Sequence, residues 1–336
     1  MDFDFPGKIA VMGGGSWATA LSKLLMAHGG SIIWYMRRRD RIDDFRRLGH
    51  NTVYLSDIAF DTDRIAFTDD INLACSEADT LLLVTPSPYF LSHVDKITVD
   101  ISSKSVVSAI KGMVPGENRL ISEYMTARFG IDPDRMLVVS GPCHAEEVAL
   151  GRQSYLTVGC RNLDNAELFA DRLRSRGLSA VTSTDVTGIE LASVLKNVYA
   201  IAAGIIHGLK SGDNLLAVMV SNAIREMERF IAAVSPDPAR HIDNSVYLGD
   251  LLVTCYSNFS RNHNFGAMIG RGYSVRSARM EMEQTAEGYF GAACVHAIHA
   301  AQVPRVEAPL AEAVYDILYN GAPADLTMRR VSGLFT

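Results

Sequence analysis

The sequence has few of the features that mark metal sites, disulfide-rich proteins or nucleic-acid-binding proteins. Its five cysteines form no CxxC pair and no His–Cys cluster. This pattern argues against a zinc site or a disulfide framework, and we expect no bound metal and a reducing, cytoplasmic environment. The net charge of −6 argues against a general nucleic-acid surface. An anionic partner would therefore bind in a local basic pocket.

Uninterrupted hydrophobic segments of membrane length are also missing. Lys196, Asn197 and His207 interrupt the longest apolar stretch, so we expect no membrane span. The first eight residues, MDFDFPGK, are acidic and have no hydrophobic region, unlike a signal peptide. The 336 residues exceed one ordinary core and predict two domains.

A dinucleotide fingerprint stands near the start of the chain. Residues 8–15, KIAVMGGG, read as an apolar strand that runs into glycines, followed by a predicted helix at 16–27. Gly13 suits a tight turn, Gly15 lets the backbone approach a pyrophosphate, and Ala18 permits close helix packing. The spacing predicts a bound nicotinamide dinucleotide, and the alternative is a tight turn in another kind of α/β protein.

The end of the second predicted strand, residues 31–35, indicates which cofactor is preferred. NAD-binding proteins usually carry Asp or Glu there, but this sequence continues MRRR and has no acid before Asp40. Because arginine suits a 2′-phosphate, Arg37 favours NADP, with NAD as the alternative.

The pattern along the chain predicts the fold class. Further apolar strands at 78–86, 104–111 and 136–142 are expected to end at one edge of a parallel sheet. After one more strand, 153–160, the alternation of strands and helices is expected to stop.

From residue 188 the pattern becomes helical, interrupted at Asp237-Pro238 and in the glycine-rich residues 266–272. We therefore predict an α/β protein. A Rossmann-like, doubly wound parallel sheet (residues 1–187) binds the dinucleotide, and an all-helical domain (188–336) binds substrate and carries the catalytic residues.

Three charged residues in the helical half are candidates for chemistry. Lys196 interrupts an apolar helix, where a buried ammonium costs several kcal/mol unless it is paired, so it either reaches the helix rim or is held for catalysis. Asp250 stands among apolar neighbours and is a helix cap, an ion-pair partner or a functional carboxylate. Arg261 is an exposed loop residue or a fork that binds phosphate or carboxylate.

Together these segments resemble the bacterial NAD(P)-dependent glycerol-3-phosphate dehydrogenase family. The resemblance rests on eight motifs in the family's order: GGGSWATAL (13–21), VTPSPYF (84–90), IKG (110–112), SGPCHAEEV (140–148), LKNVYAIAAG (195–204), LGDLLVTC (248–255), SRNHNFG (260–266) and AEGY (286–289). It implies an oxidoreductase that interconverts dihydroxyacetone phosphate and sn-glycerol 3-phosphate by hydride transfer with NAD(P)H. Such an enzyme supplies glycerol 3-phosphate for glycerophospholipid synthesis.

The resemblance also implies roles for individual residues. Lys196 is the proton donor and acceptor, with Asp250 and Lys111 as the other catalytic residues. The expected cofactor contacts, which include the two fingerprint glycines, are Gly13, Gly15, Ser16, Trp17, Arg37, Lys111, Ala145, Arg261 and Glu287. The expected substrate contacts are Lys111, Gly141, Cys143, Lys196, Asn197, Asp250, Thr254, Ser260, Arg261 and Asn262.

Three positions depart from the family pattern. Cys143 stands where Ser or Thr is usual, so a thiol replaces a hydroxyl near the substrate. Met36 stands where His or Arg is common, which leaves the 2′-phosphate to Arg37, with Arg38 as a second candidate. Val246-Tyr247 replaces small residues and is expected to narrow the pocket.

Two other functions stay open at this point. One is a related β-hydroxyacid-type dehydrogenase that acts on a carboxylate substrate, and the other is a non-catalytic NADP(H)-binding sensor. Members of the family often dimerise, so a homodimer is the assembly that the resemblance suggests.

Overall fold

The computed structural model describes residues 5–27 and 29–336. Residues 1–4 of the N-terminal segment discussed above lie outside the described part. The chain forms two compact units. The first comprises the residues up to Ile110 together with Ile121–Val186, and the second comprises Lys111–Leu120 and Thr187–Thr336. Residues 111–120 therefore group with the helical unit, although they occur in the sequence among the strands of the first.

The first unit is built on an eight-stranded sheet. Its strands are β1 Ile9–Met12, β2 Ile32–Tyr35, β3 Ile65–Thr68, β4 Thr80–Leu83, β5 Ser105–Ser108, β6 Met136–Ser140, β7 Ser154–Cys160 and β8 Leu178–Ser183. They lie in the order β3-β2-β1-β4-β5-β6-β7-β8, and only the β6–β7 pair is antiparallel. The predicted Rossmann-like sheet is confirmed.

Helices accompany this sheet: α1 Ser16–Ala27, α2 Arg39–Leu48, α3 Ile71–Glu77, α4 Phe90–Val94, α5 Ile121–Phe129, α6 Ala145–Ala149 and α7 Leu163–Leu173. Strands β1, β2 and β4 are buried at every residue, which explains why they read as continuous apolar runs rather than alternating ones. Trp34 on β2 is fully buried and packs edge-on against Phe45 and Phe60. This aromatic cluster fixes α2 against the strand that precedes it.

The alternation of strands and helices does not stop after residue 160, so that expectation was wrong. Helix α7 follows β7, with its first turn capped by the Asn162 side chain, and leads into β8, which pairs parallel to β7. Strand β8 has the sequence LSAVTS and is only partly buried, with Val181 54% exposed. It lies at the sheet edge, where a short polar strand carries a weak periodic signal.

The second unit is helical in the part that the structure describes, which confirms the predicted C-terminal half. Its helices are α8 Val186–Gly208, which begins one residue before the unit boundary, α9 Asp213–Val234, α10 Asp250–Tyr256, α11 Arg261–Gly270, α12 Val275–Glu281, α13 Glu287–Ala301, α14 Pro309–Tyr319 and α15 Ala324–Ser332. A single π-helical turn, Ser245–Gly249, precedes α10 and buries Tyr247. The predicted interruption at residues 266–272 was correct only at its end, because α11 continues to Gly270 and the helices break at residues 271–274.

Glycines allow α8 and α11 to touch through their backbones. A Cβ added to Gly204 would lie 2.0 Å from the His263 carbonyl oxygen, and one added to Gly266 would lie 2.1 Å from that of Ile201. Both distances are far inside van der Waals contact, so only glycine fits at these positions. The glycines that suggested a break are thus the contact surface between two helices.

Helix α8 is long and apolar enough to cross a membrane by length and composition, contrary to the expectation that no segment would be. The most apolar part of this helix is entirely buried within the protein. That burial is typical of the core helix of a globular unit.

Candidate active site and cofactor site

A buried ion pair lies at the centre of the second unit. Lys196, halfway along α8, is 3% exposed, and Asp250, the first residue of α10, is 1% exposed. The Lys196 ammonium forms a short ion pair with Asp250 Oδ1, and the Lys111 Nζ lies 3.7 Å from Asp250 Oδ2. The structure therefore brings the three predicted catalytic residues together, and Lys196 does not reach the helix rim.

Two ammonium groups, those of Lys196 and Lys111, lie beside the Asp250 carboxylate in a largely dehydrated place. The neighbouring Cys255 adds no negative charge, because burial raises the pKa of its thiol to about 12 despite the opposing effect of Lys196. An ammonium group in such a place stabilises negative charge more strongly than it would in water.

Two asparagines join the segments that carry these residues. Asn197 Nδ2 donates a hydrogen bond to the Lys111 carbonyl oxygen at 2.9 Å, and Asn262 Nδ2 donates to Asn197 Oδ1 at 2.9 Å. The amide N–H of Gly288 in turn donates to Asn262 Oδ1 at 2.8 Å. This chain of hydrogen bonds connects the Lys111 segment, α8, α11 and the start of α13, next to Glu287.

The start of α11 carries the residues predicted to bind a phosphate. Ser260 is its N-cap and accepts a hydrogen bond from the His263 N–H, and Arg261 is its first residue rather than a loop residue. The first turn of a helix presents backbone N–H groups and a partial positive charge, which suits an anion. Thr254, one turn into α10, is directed inward and donates to the Asp250 carbonyl oxygen at 2.5 Å.

In the first unit, the glycine turn between β1 and α1 has the form that a dinucleotide requires. Gly13 has φ +147°, and a Cβ there would lie 3.0 Å from the Val84 carbonyl oxygen. A Cβ on Gly15 would meet nothing within 4 Å, so the backbone is open at this point. The turn therefore fits a pyrophosphate, with Ser16 and Trp17 as the first residues of α1.

A cavity of about 330 Å³ begins at this turn. Gly13, Gly15 and Arg37 line it, as the sequence predicted for a cofactor site. Its lining is completed by Gly14, Tyr35, Met36, Arg38, Arg41, Asn51, Val53, Tyr54, Thr85, Pro86, Tyr89 and His93. Burial lowers the pKa of His93, and the charge of Arg37 lowers it further, so this imidazole stays neutral at physiological pH.

The remaining predicted residues of the first unit follow β6. Gly141 has φ +138°, and a Cβ there would lie 2.6 Å from the Tyr155 carbonyl oxygen, so only glycine fits. The Cys143 thiol donates to the Gly141 carbonyl oxygen at 3.0 Å, and Ala145 is buried at the start of α6. The thiol at this position therefore helps to hold the turn that contains Gly141.

Sequence reasoning missed two residues that hold the glycine turn. Trp34 Nε1 donates to the Gly13 carbonyl oxygen at 2.7 Å, and Asn51 Nδ2 donates to that of Gly14 at 3.1 Å. Asn51 Oδ1 also accepts from the backbone of the following loop. No pattern in the sequence marks either contact, because both join residues more than twenty positions apart.

Two family models match the chain and together cover most of it. The N-terminal model of NAD-dependent glycerol-3-phosphate dehydrogenase matches residues 8–166, and the C-terminal model matches residues 185–329. This chain belongs to the NAD-dependent glycerol-3-phosphate dehydrogenase family.

Named members of this family match over nearly the whole chain. Glycerol-3-phosphate dehydrogenase [NAD(P)+] of Prosthecochloris aestuarii is 31% identical over 94% of this chain and 95% of its own length. The enzyme of the same name from Enterococcus faecalis is 32% identical over 93% and 92%. The crystal structure of glycerol-3-phosphate dehydrogenase from Coxiella burnetii has a TM-score of 0.88 at 28% identity, covering 97% of this chain and 98% of that one.

These matches confirm the resemblance drawn from the eight motifs. They support the glycerol-3-phosphate dehydrogenase interpretation, and not the carboxylate-specific dehydrogenase or the sensor.

Proposed function

We propose that the chain reversibly reduces dihydroxyacetone phosphate to sn-glycerol 3-phosphate with NADPH, or with NADH as the alternative. The product would enter glycerophospholipid synthesis. The observation that carries this proposal is the buried Lys196–Asp250 ion pair with Lys111 beside it. A sensor needs the glycine turn but has no use for a dehydrated ammonium that can donate a proton.

Lys196 is the proton donor in this mechanism. Reduction of the ketone places negative charge on its oxygen, and an ammonium in a dehydrated site both stabilises that charge and protonates the oxygen. Asp250 keeps Lys196 in place and offsets the cost of burying its charge. Lys111 contributes the second positive charge, and the Asn197–Asn262 hydrogen bonds hold its backbone.

The phosphate of the substrate binds at the start of α11. Arg261 supplies a planar fork of N–H donors, Ser260 and Asn262 supply further hydrogen-bonding groups, and the start of the helix contributes a partial positive charge. Thr254, Gly141 and Cys143 complete the proposed substrate contacts. Binding the phosphate away from the reacting carbon uses remote binding energy to orient the carbonyl.

The nicotinamide cofactor supplies the hydride when it is bound. Gly13, Gly15, Ser16 and Trp17 would hold the pyrophosphate at the start of α1, and Arg37 would hold the 2′-phosphate. Ala145, Arg261, Glu287 and Lys111 are further cofactor contacts that we carry over from the family.

The proposal is tested by following absorbance loss as the purified protein oxidises NADPH or NADH. Dihydroxyacetone phosphate is the test substrate, and 2-keto and 3-keto acids are the controls. Turnover with the phosphorylated ketone alone supports the proposal. Turnover with a keto acid instead, or cofactor binding without any turnover, contradicts it.

We further propose that the enzyme works in the cytoplasm as a homodimer. All five cysteines are buried and none forms a disulfide, which is typical of proteins in a reducing compartment. Sedimentation of the purified protein measures its mass in solution, and a monomer at micromolar concentration contradicts the dimer.

A further inference from the structure

Four arginines follow β2 within six residues: Arg37, Arg38, Arg39 and Arg41. Sequence reasoning assigned the 2′-phosphate of NADP to Arg37 and named Arg38 as the second candidate. The structure distinguishes these four side chains by their carboxylate partners and by their exposure.

Arg38 and Arg39 already have carboxylate partners. Arg38 donates to both oxygens of Asp40, and this contact raises the pKa of Arg38 and lowers that of Asp40. Arg39 pairs with Asp43 and Asp69. A cofactor phosphate would have to compete with these carboxylates for either guanidinium, and Asp40 would repel it.

Arg41 is placed differently. It lies in the first turn of α2 and is only partly exposed, whereas its three neighbours are exposed. Arg37, Arg38 and Arg41 all line the cavity that begins at the glycine turn. Side chains on a helix lean toward its N-terminus, which directs Arg41 back toward the end of β2. Among the described residues, no carboxylate lies within ion-pair distance of the Arg41 guanidinium, and Asp40 interacts with Arg38 more strongly than with Arg41.

We propose that Arg41, together with Arg37 and in place of Arg38, binds the 2′-phosphate and sets the preference for NADP over NAD. This inference rests on the proposed nicotinamide cofactor and adds a specificity residue to it. Two guanidiniums from the end of β2 and the first turn of α2 would approach the phosphate from adjacent positions. The backbone N–H groups at the start of α2 add a favourable partial charge.

The test measures binding rather than turnover. Dissociation constants of NADPH and NADH are determined by titration calorimetry for the wild-type protein, Arg41→Ala and Arg38→Ala. Adenosine 2′,5′-bisphosphate and 5′-AMP serve as probes that differ only in the 2′-phosphate. Arg47→Ala is the matched control, because Arg47 lies on the same helix but is exposed and paired with Asp44.

Arg41→Ala should weaken NADPH and the bisphosphate about ten- to a hundredfold, the usual effect of losing a hydrogen bond to a charged group. NADH and 5′-AMP should change by less than about twofold, which also shows that the pocket is still folded. Arg38→Ala and Arg47→Ala should have much smaller effects, and Arg41→Lys should retain part of the preference because it keeps the charge.

Two results overturn the inference. One is an Arg41→Ala protein that binds NADPH as wild type does, or loses NADPH and NADH equally. The other is a larger loss of NADPH binding in Arg38→Ala than in Arg41→Ala. If the wild-type protein binds neither nicotinamide cofactor, the proposed function itself fails, which is a distinguishable outcome.

Discussion

Removing one partner of the Lys196–Asp250 pair should separate the effect on stability from the effect on catalysis. Lys196 and Asp250 are 3% and 1% exposed, so neither charge is well hydrated when its partner is lost. Breaking a buried ion pair in this way costs about 3–5 kcal/mol of folding free energy. We consider Lys196→Met, Asp250→Leu and the double variant.

The two single variants should differ because Lys111 is close. In Lys196→Met, the Lys111 Nζ, 3.7 Å from Asp250 Oδ2, still compensates the charge of the carboxylate. The loss of folding free energy should therefore be at the lower end of this range, about 3 kcal/mol. In Asp250→Leu, both ammonium groups lose the carboxylate that they share, and the loss of folding free energy should approach about 5 kcal/mol. The double variant leaves neither member of the Lys196–Asp250 pair without its partner, so it should be at least as stable as Lys196→Met.

The loss of activity in these variants should not follow their loss of stability. Lys196→Met and the double variant should both lower kcat by at least about a hundredfold, the usual scale for a lost general acid. Urea unfolding at pH 7 measures the stabilities, and steady-state kinetics with dihydroxyacetone phosphate measures kcat. Lys210→Met, at an exposed lysine just after α8, is the control. A double variant less stable than both single variants, or normal turnover in Lys196→Met, would refute the reasoning.

Three further predictions concern the second unit. Arg261→Ala should raise the KM for dihydroxyacetone phosphate about ten- to a hundredfold, whereas Arg271→Ala, at the far end of α11, should leave it unchanged. An unchanged KM in Arg261→Ala contradicts the proposed role of Arg261 in binding the phosphate. Gly204→Ala should lower the free energy of unfolding by at least about 2 kcal/mol, because its Cβ would lie 2.0 Å from a backbone oxygen of α11. Gly291→Ala is the control for the same urea titration. It should lower the free energy of unfolding much less, because its Cβ meets a side-chain methyl at 3.0 Å. Burial raises the pKa of Glu226 to about 7, although its carboxylate accepts two backbone N–H groups of α14. Between about pH 4.3 and 7, the folded protein therefore keeps this proton whereas the unfolded chain has lost it. The stability that Glu226 contributes is fully present below about pH 4.3 and is lost as the pH rises to 7. Glu226→Gln should flatten the fall in stability between pH 5 and 7 by up to about 3 kcal/mol, and equal slopes for the two proteins contradict the assignment.

Local sequence predicted the elements whose signal lies within a few neighbouring residues. The apolar strand, glycine turn and helix at the start of the chain were found at the positions expected from the fingerprint. Helix α14 also begins at a proline, Pro309, because proline is favoured at the first helical position. The residues of the candidate site came from motifs that follow one another in the family's order.

The tertiary structure decided the points at which distant residues meet. The glycines of α11 read as a helix break from local propensity, but they are required by the backbone of α8, more than fifty positions earlier in the chain. Likewise, four neighbouring arginines carry the same charge and the same local sequence signal. Only the positions of Asp40, Asp43 and Asp69 and the direction of α2 distinguish Arg41 from Arg38 and Arg39.

The same division holds for Lys196. Its place in an apolar stretch showed that a charge would be costly there, since that cost depends only on the neighbours along the helix. Whether the charge is compensated depends on Asp250 and Lys111, which the fold brings to it from 54 and 85 positions away in the sequence. The sequence alone determined that a lysine interrupts an apolar helix, and the tertiary structure determined that this lysine is buried there in an ion pair.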